Sequence, residues 1–284
     1  MSSIETIEIG VGGGLNFTAR AAGPSDGRLV LLLHGFPETS RSWVHQLEAL
    51  GRAGYRAIAP DQRGYSAGAR PEGVDAYRMD HLVADVLAVA DVAGGEQFDL
   101  VGHDWGGAVA WALASAHPDR LRTLTAVSTP HPMAFAAVLG QGEGDQASRS
   151  SYIEFFRDPS STDGMLAHDG QGLRLLFVGS GLADDDAVAE YMAVLTQPGA
   201  LDAALNWYRA VDLTAMSGIG PIEVPTMYVW STEDVALGRE AAEATEQFVS
   251  GPYRFEVLDG VSHWIPEAAA EAFTALLLAH LDAH

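Results

Sequence analysis

The chain has 284 residues, no cysteine and a formal net charge of −22. That charge opposes binding to nucleic acid or to an anionic membrane surface. The absence of cysteine excludes disulfides, thiolate metal sites and a cysteine nucleophile. An apolar fraction of 48% over this length allows one large core, or a core with a smaller domain, and no run approaches the roughly 18 apolar residues of a membrane span. The opening MSSIETIEIG has neither a basic stretch nor an apolar segment, so a cytoplasmic location is expected.

In chain order, alternation predicts antiparallel strands over Ile4–Gly10 and Leu15–Ala21. The continuous apolar run Leu29–Leu33 reads as a strand buried on both faces, and Ala57–Ala59, Phe98–Val101 and Leu124–Val127 have the same character. Helical spacing lies between them, over Ser42–Ala53, Asp80–Val92 and Gly106–Ala116. This β-α-β-α order implies a mostly parallel sheet with helices on both faces. Residues 131–215 carry no strand pattern but several helical segments, including Asp184–Leu195 and Ala200–Val211. The α/β rhythm resumes at Pro225, with strands over Met227–Trp230 and Phe255–Leu258 and a closing helix over Pro266–Ala279. The reading is an α/β core, 1–130 and 216–284, with an all-helical lid, 131–215, inserted in it.

One turn stands out. Phe98–Ala110 reads FDLVGHDWGGAVA: an apolar strand, then Gly102-His103-Asp104-Trp105-Gly106, then a small-residue helix. This is the G-x-nucleophile-x-G spacing of a nucleophile elbow, with Asp where a serine hydrolase has Ser. The glycines let strand and helix approach without a Cβ clash. A carboxylate, with a reference pKa of about 3.9, is already ionised at neutral pH and can displace a leaving group from an sp³ carbon. The product is an alkyl ester of Asp104, and a second step must hydrolyse it. That step needs a base, and His263, directly after the last predicted strand, is the candidate. The acid that orients it should follow an earlier strand. Glu233 and Asp234 are the choices, and Asp234 is preferred. The region after Val127, Ser128-Thr129-Pro130, offers no acid.

With these residues in hand, the sequence resembles the α/β-hydrolase superfamily, and within it the epoxide hydrolases, over nearly its whole length. Four stretches carry the resemblance. They are His34-Gly35-Phe36-Pro37-Glu38, Asp61-Gln62-Arg63-Gly64-Tyr65, GHDWGG at 102–107, and Leu205-Asn206-Trp207-Tyr208-Arg209. It implies an α/β-hydrolase fold with an eight-stranded, mostly parallel sheet. The backbone N–H groups of Phe36 and Trp105 would form an oxyanion hole, and both side chains would line the substrate cleft. His34 and Pro37 would support the loop, with a cis bond at Phe36–Pro37. Two lid tyrosines, Tyr152 and Tyr208, would hydrogen-bond the epoxide oxygen as it leaves. Tyr191 competes with Tyr152 but reads as part of a packed helical face.

The implied reaction converts an apolar epoxide and water to a vicinal diol, with no cofactor and no metal. A monomer or homodimer is expected. Haloalkane dehalogenation is the alternative, since it shares the Asp nucleophile and the following Trp. However, a halide leaves without a proton, and Phe36 gives no side-chain donor where many dehalogenases have Asn. A non-catalytic binding protein would be expected to have a broken triad. An esterase would need Ser or Cys at the elbow, and the metalloprotease spacings H-E-x-x-H and H-x-x-E-H are absent.

Overall fold

The computed structural model describes residues 3–141, 144–210 and 219–284. Eight strands form one sheet: β1 (Glu5–Gly10), β2 (Asn16–Ala22), β3 (Leu29–Leu33), β4 (Arg56–Pro60), β5 (Phe98–His103), β6 (Leu121–Val127), β7 (Thr226–Glu233) and β8 (Tyr253–Ser262). Their spatial order is β1-β2-β4-β3-β5-β6-β7-β8. The β1–β2 and β2–β4 pairs are antiparallel, and the remaining pairs are parallel. All five residues of β3 are buried, as a central parallel strand requires.

Helices cover both faces. On one side lie α1 (Val44–Arg52) and the C-terminal pair, where Trp43, Leu47, Leu50, Phe273 and Leu277 share a core. On the other lie α2 (Met79–Val92) and α3 (Trp105–Ala116), with Leu82, Val86, Val109 and Trp111 buried. The small residues of α3 let it lie close on β5.

Between β6 and β7 the chain forms helices and no described strand. In order they are α4 (Pro132–Gln141), α5 (Gln146–Arg149), α6 (Tyr152–Arg157), α7 (Ser161–Gly179), α8 (Asp185–Leu195) and α9 (Ala200–Ala210). Helix α7 is bent at Ala167–Gly170, where His168, Asp169 and Gly170 take positive φ. The expected lid boundary at 215, and the end of the predicted helix at Val211, lie outside the described residues.

After β7 come α10 (Arg239–Ala244), α11 (Ile265–Ala268) and α12 (Ala270–Asp282). The sequence predicts one closing helix over 266–279. The structure splits it at Ala269, whose φ of −126° and ψ of 36° are not helical. Among the described residues no helix is long and apolar enough to cross a membrane.

The sheet order reverses beside β3, which has β4 on one side and β5 on the other. The loops leaving β3 and β5 therefore diverge at the carboxyl end of the sheet and open a crevice, the usual binding place in such folds.

Candidate active site

Asp104 follows the last residue of β5 and precedes the first turn of α3, with φ 50° and ψ −118°. A residue other than glycine in this region is strained, and the surroundings hold it there. The glycines show how tightly. A Cβ at Gly102 would stand 2.2 Å from the Gly106 carbonyl oxygen, and one at Gly106 would stand 2.2 Å from that of Leu33. A Cβ at Gly35 would meet the Cβ of Asp104 at 2.4 Å.

The Phe36 amide N–H donates to Asp104 Oδ1 at 2.8 Å. No corresponding bond from the Trp105 amide is present among the described residues. The Trp105 indole instead packs edge-on against Tyr208 and Trp207, with ring centroids 4.9 and 5.9 Å apart. The Phe36–Pro37 peptide bond is cis. Both ring nitrogens of His34 are engaged by backbone: Nδ1 lies 2.9 Å from the Gly35 carbonyl oxygen, and Nε2 accepts from the Gln62 amide at 3.1 Å. This assigns the proton to Nδ1 and gives a neutral ring. Burial, which lowers the basicity of His34, acts in the same direction.

On the other side of Asp104 stands His263, with Nε2 3.7 Å from Asp104 Oδ2 and Nδ1 2.8 Å from Asp234 Oδ2. Asp234 is buried, whereas Glu233 is exposed at the end of β7. The other oxygen of Asp234 accepts from the amides of Ala236 and Leu237 at 2.8 and 2.9 Å. Both carboxylate oxygens are thus occupied, so the group orients His263 from a fixed position.

The charges are coupled. Burial pushes the Asp104 carboxyl up, but the nearby His263, the charge of His103 and the Phe36 amide outweigh it and hold it below the usual range. Burial pushes His263 down, but the charge and hydrogen bond of Asp234 and the nearby Asp104 carboxylate hold it well above the usual histidine value.

Facing this group are two tyrosines from helices α6 and α9. Tyr208 is 4% exposed and packs against Phe36 and Phe156, with ring centroids 5.2 and 5.0 Å away. The Tyr152 ring lies 6.4 Å from that of Tyr208. Burial and the nearby Asp104 charge raise both hydroxyls above the ordinary tyrosine value, so they stay protonated at any physiological pH. Asp104, Tyr152 and Tyr208 line one cavity. Tyr191 lies elsewhere: it is fully buried, stacked on Phe177, and its hydroxyl donates to Glu267 at 2.8 Å.

Sequence reasoning missed a buried polar cluster behind the triad. His103 places Nδ1 2.8 Å from Glu38 Oε2 and Nε2 2.9 Å from the His263 carbonyl oxygen. The ring is thus held from both sides, between the Glu38 carboxyl group and the His263 carbonyl oxygen. Glu267 joins the cluster. Burial, then the charge of Glu38, pushes its carboxyl up to about 9. Residues 38, 103, 191 and 267 share no spacing pattern. The sequence signals are a Glu within the HGFPE loop and a His beside the nucleophile, and neither spacing ties one to the other.

The cap is held to the core by polar contacts. Trp207 Nε1 donates to the Arg63 carbonyl oxygen at 2.9 Å, and Arg63 forms a buried, bidentate pair with Asp85 at 2.6 Å. Arg41 reaches both Asp184 and Glu190 of the α8 region, at 3.3 and 3.1 Å. On the opposite side Arg149 donates to the carbonyl oxygen of Asp234, and Gln146 bridges to Ala236 and Gly238.

Comparison with known proteins agrees with this architecture. The family model of the alpha/beta hydrolase fold matches residues 28–269. An AB hydrolase superfamily protein of Bacillus subtilis is 39% identical over 275 residues, covering 94% of this chain and 95% of that protein. Epoxide hydrolase A of Mycobacterium tuberculosis is 33% identical over 309 residues, covering 94% of each. A solved structure described as one of the novel epoxide hydrolases in metagenomes from hot environments superposes with a TM-score of 0.89 at 30% identity, covering 99% of this chain and 100% of that one. The chain belongs to the α/β-hydrolase family and, within it, to the epoxide hydrolases.

Proposed function

We propose that this enzyme converts an apolar, uncharged epoxide and water to a vicinal diol through a covalent ester on Asp104. The residues of the lid, 131–215, supply Tyr152 and Tyr208, which hydrogen-bond the ring oxygen. Asp104 Oδ2, the oxygen not bonded to the Phe36 amide, attacks a ring carbon. The carbon–oxygen bond breaks, its electron pair goes to the ring oxygen, and that oxygen takes a proton from a tyrosine. Neutral hydroxyls fit this step because a departing alkoxide is strongly basic and needs a donor already in position.

Formation of the ester removes the charge of Asp104. One of the two carboxylates that held a proton on His263 is then gone, so its basicity falls back toward the ordinary histidine range and the ring stands unprotonated, free to accept a proton, when a base is needed. His263, oriented by Asp234, takes a proton from water, and the hydroxide attacks the carboxyl carbon of Asp104. The Phe36 amide stabilises the oxyanion on Oδ1, with the Trp105 amide proposed as the second donor. The intermediate collapses, and the diol leaves with Oδ2 and a proton from His263. The acid left on Asp104 returns its proton to the tyrosinate, which restores the starting state. The reaction needs epoxide and water as its only partners, and no cofactor.

The observation that carries this reading is the pairing of Asp104 with His263 on one side and with the two lid tyrosines on the other, around one cavity. Haloalkane dehalogenation would use Asp104 and His263 equally but gains nothing from the two tyrosines, because a halide leaves without a proton. The Phe36 side chain, packed on Tyr208 and Phe156, offers a halide no donor. A single turnover in ¹⁸O water tests the covalent route. Label is expected in Asp104 after the first turnover; label in the diol alone, with none in Asp104, would rule the ester out.

A further inference from the structure

The space around Asp104 has two lobes. One, of about 490 Å³ with its opening to solvent included, lies beside the start of α3 and is walled by Trp105, Ala108, Pro130, Phe135, Ile153 and Leu237. The other, of about 530 Å³ counted the same way, lies beside the residues that follow β8 and is walled by Phe36, Phe156, Leu176, Val235 and Trp264, together with His263. Asp104, Tyr152 and Tyr208 line both. The reacting groups therefore stand at a waist between two lobes, not at the end of one.

An epoxide has two ring carbons. With its oxygen held by the two tyrosines and one carbon presented to Asp104, substituents on the two carbons point to opposite sides of the waist. Both lobes have mostly apolar walls, and their polar groups are already engaged. Thr129 Oγ1 donates to the Asp104 carbonyl oxygen at 2.7 Å. Ser180 Oγ donates to the Leu176 carbonyl oxygen at 2.6 Å and accepts from Trp264 Nε1 at 3.0 Å. Among the described residues no arginine lines either lobe, so an arm ending in carboxylate or phosphate finds no cationic partner. The net charge of −22 further opposes the approach of an anion.

We infer that the preferred substrates are internal epoxides, with an uncharged apolar arm on each ring carbon and one arm in each lobe. This rests on the reading of Asp104, Tyr152 and Tyr208 given above. A terminal epoxide fills one lobe and leaves the other to water. It gives up binding that, for a two-armed substrate, fixes the ring at the waist, and binding remote from the reacting atoms is what holds them in an attack geometry.

The test uses trans-dibutyloxirane and butyloxirane, which differ by one apolar arm. The kcat/KM of the two-armed substrate is expected to exceed that of the one-armed substrate by at least about tenfold, a modest share of what burying four methylenes allows. Ile153→Trp narrows the first lobe and Val235→Trp the second. Ile153 is partly exposed and Val235 is exposed, so the fold has room for both. Either variant should lower the ratio of the two kcat/KM values by at least about tenfold, because the one-armed substrate can use the lobe left open whereas the two-armed substrate needs both. A wild-type ratio at or below one, or a ratio unmoved by both variants, overturns the two-lobed assignment while leaving epoxide hydrolysis intact. Failure of the wild-type enzyme to open either oxirane overturns the epoxide reading itself, and this inference with it.

Discussion

The core and the helices between β6 and β7 bring different kinds of group to one cavity. Asp104, Asp234 and His263 follow strands β5, β7 and β8 and carry the charge. Tyr152 and Tyr208 sit on α6 and α9 and are neutral. The core groups are fixed by backbone: a strained turn closed by glycines for Asp104, and two amides for Asp234. The cap groups are fixed by side-chain packing, aromatic ring against aromatic ring. On the proposed route the labour divides accordingly: bonds to carbon are made and broken on the core side, and the departing ring oxygen takes its proton from the cap side. This division predicts that damage to the two sides will leave different species behind.

The largest effect should come from the cap. Tyr152→Phe combined with Tyr208→Phe is expected to slow epoxide opening on the order of 10⁴-fold, with no ester building up, because the leaving oxygen loses both donors. Rapid quench with intact-mass detection reads both quantities, and a double variant with wild-type opening would dissociate the tyrosines from the chemistry. Next is the core: His263→Gln should cut turnover on the order of 10³-fold yet let one equivalent of ester accumulate on Asp104. Loss of the burst as well would place His263 in the first step.

Acid should imitate the histidine variant. In the ester Asp104 is uncharged and Asp234 alone raises His263, so the base is lost as pH falls through that more modestly raised value, while in the free enzyme Asp104, held low, stays ionised and still attacks. Ester should therefore build up several-fold as pH is lowered from about 8 to about 5, and a constant ester level would disprove the separation of roles. A smaller effect concerns stability. Glu267 has a folded value of about 9, above its unfolded one, so as pH rises from about 4.5 toward 9 the unfolded chain gives up this proton while the folded chain keeps it. Stability should fall across that window, and Glu267→Gln should flatten the fall in a pH series of thermal unfolding curves. An unchanged slope would assign the fall to other groups.

The core was readable for reasons the structure makes plain. An elbow that tolerates no Cβ at Gly102 or Gly106 must write itself as G-x-D-x-G, and strands buried on both faces must write themselves as runs such as LVLLL. The chain order of Asp104, Asp234 and His263 follows from parallel strands presenting their ends on one edge. Other features leave no local trace. The break at Ala269 carries no glycine or proline. The cluster of Glu38, His103, Tyr191 and Glu267 joins residues far apart in sequence through buried carboxylates. The two-lobed cavity depends on how α6 and α9 are set over the sheet edge, and that placement is held by links such as Trp207 to the Arg63 carbonyl oxygen, which have no pattern in sequence.

The hydrogen bond from the Phe36 amide to Asp104 Oδ1 has an isotopic consequence. It makes the two carboxylate oxygens unequal for as long as the group does not rotate. On the proposed route Oδ2 leaves with the diol, and the oxygen taken from water inherits its position beside His263. The next substrate then carries that same atom away. An enzyme that has worked through many cycles in ¹⁸O water should hold one heavy oxygen on Asp104, not two, and should keep a memory of its original Oδ1. A second label, seen by peptide mass, would time the rotation of the carboxylate away from the amide that restrains it.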